Sequence, residues 1–206
     1  VSDLAASVSA AADELSAASE AREVGLAACR RVIRASSSAI RAVHLGQATA
    51  VAERLAEAER ALGEARAALR PHPAVYHAGF LHDAAKEYAE ARATDALVRG
   101  TSVPSAAELG IEAPAWLNGL AEAASELRRH ALDRLRHGEL DAAETLLDRM
   151  DEVFGELVAI DLPDAVTGGL RRTMDALRAV IERTRGDVTA AVLQERLRVS
   201  LERRLE

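Results

Sequence analysis

The chain has 206 residues, enough for one good-sized domain, and its formal charge of −7 argues against a protein that coats nucleic acid through overall basic charge. A local basic surface is still allowed, because the field depends on how charge is distributed. No apolar run reaches about 18 residues, so no membrane-spanning helix is expected.

Hydrophobic residues make up 49%, much of it alanine, and aromatics 2%. Alanine is the best helix former and little here suits a pleated sheet, so the composition predicts an all-α protein. Of the 26 basic residues, all but Lys86 are arginine, the better side chain for bidentate phosphate contacts. A GC-rich genome produces the same bias. The single cysteine, Cys29, lies in the apolar stretch LAACRRVI and reads as a small buried side chain in a reducing compartment. The acidic N-terminus lacks the basic start of a signal peptide, so a cytoplasmic location is expected.

Residues 3 to 45 read as a first helix with few breakers. Its weakly apolar beginning, over residues 1–20, is expected to fray or to pack only in an oligomer. LAACRRVIRASSSAIRAVH is stronger, with Val32, Ile33, Ile40 and Val43 as apolar marks, and Gly46 fits a C-terminal stop. A second helix is predicted over 48–69, where Val51, Leu55, Ala58 and Leu62 follow the helical period. PHP at 71–73 ends it. A third helix is predicted over 75–99, ending at Gly100.

TSVPSAAELGIEAP follows as a loop with one short helical turn, and Pro114 opens a fourth helix closed by Gly138. A fifth spans 139–159, DLPD at 161–164 is a turn, and 164–206 holds one or two helices with Gly186 and Asp187 as a candidate joint. The expectation is a single domain, residues 1–206, of about seven helices. Short connections favour antiparallel neighbours. Alanine permits close approach but buries little area, so subunit contacts are expected to contribute part of the stability.

The chemistry gathers in GFLHDAAKEYAEA, residues 79–91, where Asp83 and Glu87 are i, i+4 and Glu87 and Glu90 are i, i+3. Such pairs project from one helix face and repel by a few tenths of a kcal/mol unless a cation sits between them. Glu122 and Glu126 repeat the device at i, i+4 among small residues that let a facing helix come near. Two helices with two carboxylates each can build an oxygen-rich site for Mg²⁺ or Mn²⁺, a metal that makes a nucleophilic water and neutralises charge on a phosphate. A solvated acidic face has the same spacing.

A ferritin-like di-iron site needs Glu-x-x-His on two helices, and the chain has no Glu-x-x-His. His72, His77, His82, His130 and His137 show no tight metal spacing and read mostly as surface or loop residues. Lys86 reads as solvated, Asp83 as an outer ligand of such a metal site or as the partner of Lys86 or Arg92, and Asp151 and Glu152 as a surface or interface pair.

Taken in order, GFLHDAAKEYAEA, ELGIEAPAWLNGLAEAASELRRHALDRLRHGE (108–139) and LRRTMDALRAVIERTRGDV (170–188) resemble the translin family, with its catalytic branch, translin-associated factor X. RRVIRASSSAIRAVH, 30–44, is similar to the family's arginine-bearing helix ending in histidine. The likeness covers roughly residues 25–190. It implies an all-helical, translin-like bundle that assembles into a closed, hollow homo-oligomer of six or eight subunits and binds single-stranded RNA or DNA.

The catalytic branch is a metal-dependent endoribonuclease. Its Glu-Tyr-x-Glu-Ala motif is carried here by Glu87 and Glu90, and its Gly-x-Ala-Asp-x-x-x-Glu-Leu motif by Glu126. Glu122 stands where the family often has aspartate, a departure that keeps the charge but reaches one methylene further. By this resemblance Glu87, Glu90, Glu122 and Glu126 form the catalytic and metal-binding set for Mg²⁺ or Mn²⁺.

A phosphate chain needs cations near these carboxylates. Arg30 with Arg34, and Arg34 with Arg41, share roughly one helix face. The resemblance makes Arg30, Arg31, Arg34 and Arg41 phosphate contacts with His44 nearby, and Arg128 and Arg129 are second candidates. Salt bridges with Glu20 and Glu23 are the competing role for the first group. Tyr76, Phe80, Tyr88, Trp116 and Phe154 read as core or interface, which leaves base stacking poor and recognition to backbone and shape.

Three functions therefore stand side by side: a metal-dependent endoribonuclease, a non-catalytic nucleic-acid-binding particle like translin, and a helical scaffold with solvated acidic faces.

Overall fold

A computed structural model describes residues 2–205 and contains nine α-helices and no strand among them. They are α1 (Ser2–His44), α2 (Ala48–Leu69), α3 (Pro73–Tyr76), α4 (Phe80–Arg99), α5 (Ala106–Leu109), α6 (Ala113–Arg136), α7 (Leu140–Val158), α8 (Asp164–Thr167) and α9 (Leu170–Leu205). The all-α expectation holds, with three of the nine being single turns of four residues.

Two predicted boundaries are corrected. The helix expected over 75–99 is broken at Gly79, whose φ of +99° is open to glycine and strained for other residues; only from Phe80 does α4 run unbroken. In α9 the Gly186–Asp187 joint does not appear: glycine in a helix interior costs roughly 1 kcal/mol, too little to break a helix held elsewhere by packing. The stop at Gly100 and the short helical turn after it stand as read. Ser105 and Glu108 close a capping box on α5, and Gly100 takes the left-handed C-cap of α4. Arg149 donates to the Leu97 carbonyl at 2.7 Å, satisfying one acceptor at that helix end.

Alanines predominate among the buried side chains, and this lets backbones meet. A Cβ on Gly25 would stand 2.7 Å from Leu69, which marks the close approach of α1 and α2. That contact and the Arg31–Glu64 ion pair run in opposite chain directions, so α1 and α2 are antiparallel across the short link at 45–47.

α4 and α6 are different. His82 and Pro114 both touch Gly168, while Lys86 and Glu90 lie against Gly119. The two helices therefore advance in the same direction, which the long return segment 100–112 makes possible. Both helices belong to two apolar clusters. One joins Leu81, Ala85 and Ala115 to α1 and α2, and the other joins Leu97, Leu120 and Leu127 to α7 and α9. The acidic stretches of α4 and α6 lie where these clusters meet.

Candidate metal centre and nucleic-acid surface

Gly119 sets the geometry of the site. A Cβ there would stand 2.6 Å from the Lys86 carbonyl oxygen and 2.9 Å from the Glu90 nitrogen, so the backbones of α4 and α6 are in contact. Glu122, one turn beyond Gly119, is thereby brought to Glu87 and Glu90. One carboxylate oxygen from each of the three lies within 4.8 Å of the other two, and all three side chains are half-buried. The parallel course of the helices keeps the two acidic runs in register.

Burial, reinforced by Glu122, Glu87 and Glu126, pushes the Glu90 carboxyl up to about 8. Burial also raises Glu87, against the pull of Lys86. Three half-buried carboxylates held together form a pure oxygen donor set, and their mutual repulsion is what a hard divalent cation relieves. The residues present therefore fit Mg²⁺ or Mn²⁺.

Lys86 is not the solvated side chain expected from the sequence. Its Nζ donates to Glu122 at 2.7 Å and lies 3.8 Å from Glu87. Burial works against its charge, but Glu122, Glu87 and Glu90 outweigh it and raise its pKa. Asp83 is exposed and makes no ion pair with Lys86 or Arg92 among the described residues; Arg92 instead donates to the Tyr88 hydroxyl at 2.8 Å.

Glu126 stands beside the three. It adds to the charge felt by Glu90, but its own partner is His44, whose Nε2 is 2.6 Å from Glu126 Oε2. His44 Nδ1 is in turn 3.0 Å from His130 Nε2. With both rings neutral, the hydrogen bonds run one way: His130 Nε2–H donates to His44 Nδ1, and His44 Nε2–H donates to the Glu126 carboxylate. Burial, followed by His44, lowers the His130 pKa. Sequence reasoning read His130 as a surface residue, yet it is buried. The signal that could have found it is its i, i+4 spacing from Glu126 on one helix face.

The arginines divide. Arg30, Arg34 and Arg41 are exposed on α1, with no ion pair among the described residues. Arg41 lies one turn before His44, so this face leads to the carboxylates. Arg31 is paired with Glu64 of α2, not with Glu20 or Glu23. Arg128 is engaged by Asp187 at 2.9 Å and by Thr184 at 3.2 Å, which fastens α6 to α9. Arg129 is exposed. Asp151, read as surface or interface, pairs with Arg185 at 2.7 Å.

Fold and site together define an all-α protein with an acidic cluster on two parallel helices and an arginine-bearing helix leading to it. The chain belongs to the translin family. It is similar to the crystal structure of AfC3PO, at 31% identity and a TM-score of 0.84, covering 91% of this chain and 97% of that one. The AfC3PO–duplex RNA complex matches at 30% and 0.83 with the same coverage. Apo-NeC3PO matches at 20% identity and 0.81, covering 89% and 96%, which speaks for the fold alone. An uncharacterized protein of Methanocaldococcus jannaschii, MJ0175, is 29% identical over 126 residues, 61% of this chain and 56% of that protein, so the match spans little more than half of that relative. No known family model matches the chain.

Proposed function

We propose that the chain is a metal-dependent endoribonuclease, acting as a single domain within a hollow homo-oligomer of six or eight subunits. The observation that carries this reading is the convergence of Glu87, Glu90 and Glu122 from two helices, with Glu90 raised to about 8. In this reading Glu87, Glu90, Glu122 and Glu126 are the ligands. A bound Mg²⁺ or Mn²⁺ supplies charge neutralisation at the scissile phosphate and activates the attacking oxygen.

The protein's own groups do the rest. His44 fixes Glu126 through Oε2, so Glu126 would reach an ion through Oε1. Arg30, Arg34 and Arg41 track the phosphate backbone, and their exposure suits a salt-dependent, weakly sequence-selective contact. The likeness to a structure solved with duplex RNA supports RNA as the ligand. The sequence resemblance points to single strands, so both forms belong in the test.

Assembly from copies of this chain is supported by two helix halves left without intrachain cover. Leu4, Val8 and Leu15 on α1 and Leu193, Leu197 and Leu201 on α9 are between 52% and 71% exposed. The first stripe is flanked by Asp3, Asp13, Glu14 and Glu20; the second carries both signs, with Arg198 paired to Glu195 and Glu202 and with Arg196, Arg203 and Arg204 beside them, so apolar burial is what the two stripes offer a second copy.

One observation favours the second reading, a translin-like binding particle without catalysis: the Lys86 ammonium already neutralises part of the cluster. Cleavage of end-labelled single-stranded and duplex RNA in Mn²⁺, Mg²⁺ or EDTA separates the two, run beside Glu87→Gln/Glu90→Gln. Metal-dependent cleavage that disappears in the double variant while RNA binding persists supports the nuclease. Binding without cleavage in either metal leaves the particle. Cleavage that survives in the variant removes the carboxylates from the chemistry.

A further inference from the structure

The carboxylate cluster already contains a cation, and it is the chain's only lysine among 26 basic residues. Lys86 Nζ lies 2.7 Å from both oxygens of Glu122 and 3.8 Å from Glu87 Oε1, so it engages two of the three carboxylates that would hold an ion. The side chain emerges from α4 beside Gly119, where the helices touch, and stays 23% exposed, which leaves it a path toward solvent. A lysine ammonium is a compact charge on a flexible four-carbon stem, with freely rotating donors. An arginine would clamp a carboxylate through a planar fork and release it reluctantly. The chain places its one displaceable cation at the place where another cation is expected.

We infer that Lys86 is a resident counter-cation: it bridges Glu122 and Glu87, beside Glu90, in the metal-free protein and gives up Glu122 when a divalent ion binds. The ammonium and the ion compete for the same oxygens, so Lys86 sets the metal affinity of the site and keeps the metal-free cluster from repelling itself apart. Lys86 is thus a positioning residue, not a ligand. The inference rests on the metal-site reading above.

The test is Mn²⁺ binding by isothermal titration calorimetry, with thermal melting in EDTA and in Mn²⁺, on the wild type, Lys86→Met and Lys86→Arg. Removing the competitor tightens Mn²⁺ binding about three- to tenfold in Lys86→Met, the range for one ordinary net hydrogen bond, since the ammonium is partly exposed to solvent. That variant also melts lower than wild type in EDTA and gains more from Mn²⁺. Lys86→Arg binds Mn²⁺ more weakly than wild type.

A merely structural role would lower melting equally with and without metal and leave the affinity unchanged, and that result overturns the inference. Should Lys86→Met fail to fold, the arginine variant decides, and an affinity equal to or above wild type overturns the inference. Wild type that binds Mn²⁺ and cleaves RNA, with Lys86→Met no tighter, ends this inference and leaves the nuclease standing. Absence of Mn²⁺ binding and cleavage in the wild type ends the metal reading, and Lys86→Met that also binds none ends the inference with it.

Discussion

A carboxyl group set among three other carboxylates and partly withdrawn from water keeps its proton far above its ordinary value of 4.5, as Glu90 does at about 8. Between these two values the folded protein holds a proton that the unfolded chain has released. The contribution of Glu90 to stability is therefore most favourable below about pH 4.5 and falls as pH rises toward 8. In EDTA, melting temperature should decline over that window, and Glu90→Gln should flatten the decline; equal slopes in the two proteins would mean that Glu90 is already ionised. A divalent ion must displace the same proton, so Mn²⁺ affinity should rise with pH up to about 8 and level off beyond it. Calorimetry in buffers of different ionisation enthalpy reads the proton release directly. At the same scale, His44→Ala frees Glu126 from its 2.6 Å hydrogen bond and leaves the buried His130 without its ring partner. A loss of about 1–3 kcal/mol in urea unfolding is expected.

Among the elements, the contact of α4 with α6 decides whether the site exists. Alanine at Gly119 gains up to about 1 kcal/mol of helix propensity. Its Cβ would also meet backbone atoms of α4 at 2.6 and 2.9 Å, which cannot move aside as a flexible side chain can. Overpacking of this kind costs about 1–3 kcal/mol, so the clash wins and Gly119→Ala should be less stable. It should also bind Mn²⁺ more weakly, because Glu122 is carried away with α6. Gly63 on α2 is the matched control, with nothing within 4 Å of an added Cβ. There the propensity gain stands alone, and Gly63→Ala should be more stable by roughly 0.5–1 kcal/mol. Urea midpoints of the two variants check both signs.

For the whole molecule, the uncovered halves of α1 and α9 matter most. An apolar stripe that is more than half exposed over three leucines gains nothing within one chain, whereas a second copy packed against it would remove it from water. The triple change Leu193→Gln/Leu197→Gln/Leu201→Gln should convert the assembly to smaller species in sizing with light scattering. Far-ultraviolet circular dichroism should change little, because none of the three side chains packs in the core. A wild type that already elutes as a monomer would count against the closed particle. If RNA lies along α1, raising the salt should weaken binding steeply, and Arg34→Gln/Arg41→Gln should reduce that dependence by about two contacts.

The sequence by itself determined the helices and most of their ends, because helical period, proline and left-handed glycine act within a few residues of one another. It also placed Glu87 beside Glu90 and Glu122 beside Glu126, since i, i+3 and i, i+4 neighbours meet on any helix. What it left open depends on contacts between distant segments. Gly79 breaks a run that reads as one helix by taking a positive φ, and Gly186 sits in a helix that survives it because Thr184 and Val188 on either side are buried. The parallel pairing of α4 with α6 followed from a long return loop whose course no periodicity encodes. Only the tertiary structure brought Lys86 onto Glu122, and joined His44 to Glu126 and to His130, residues more than eighty positions away. Electrostatics acts through space, and a charge's partner is decided by whichever helix the fold lays beside it.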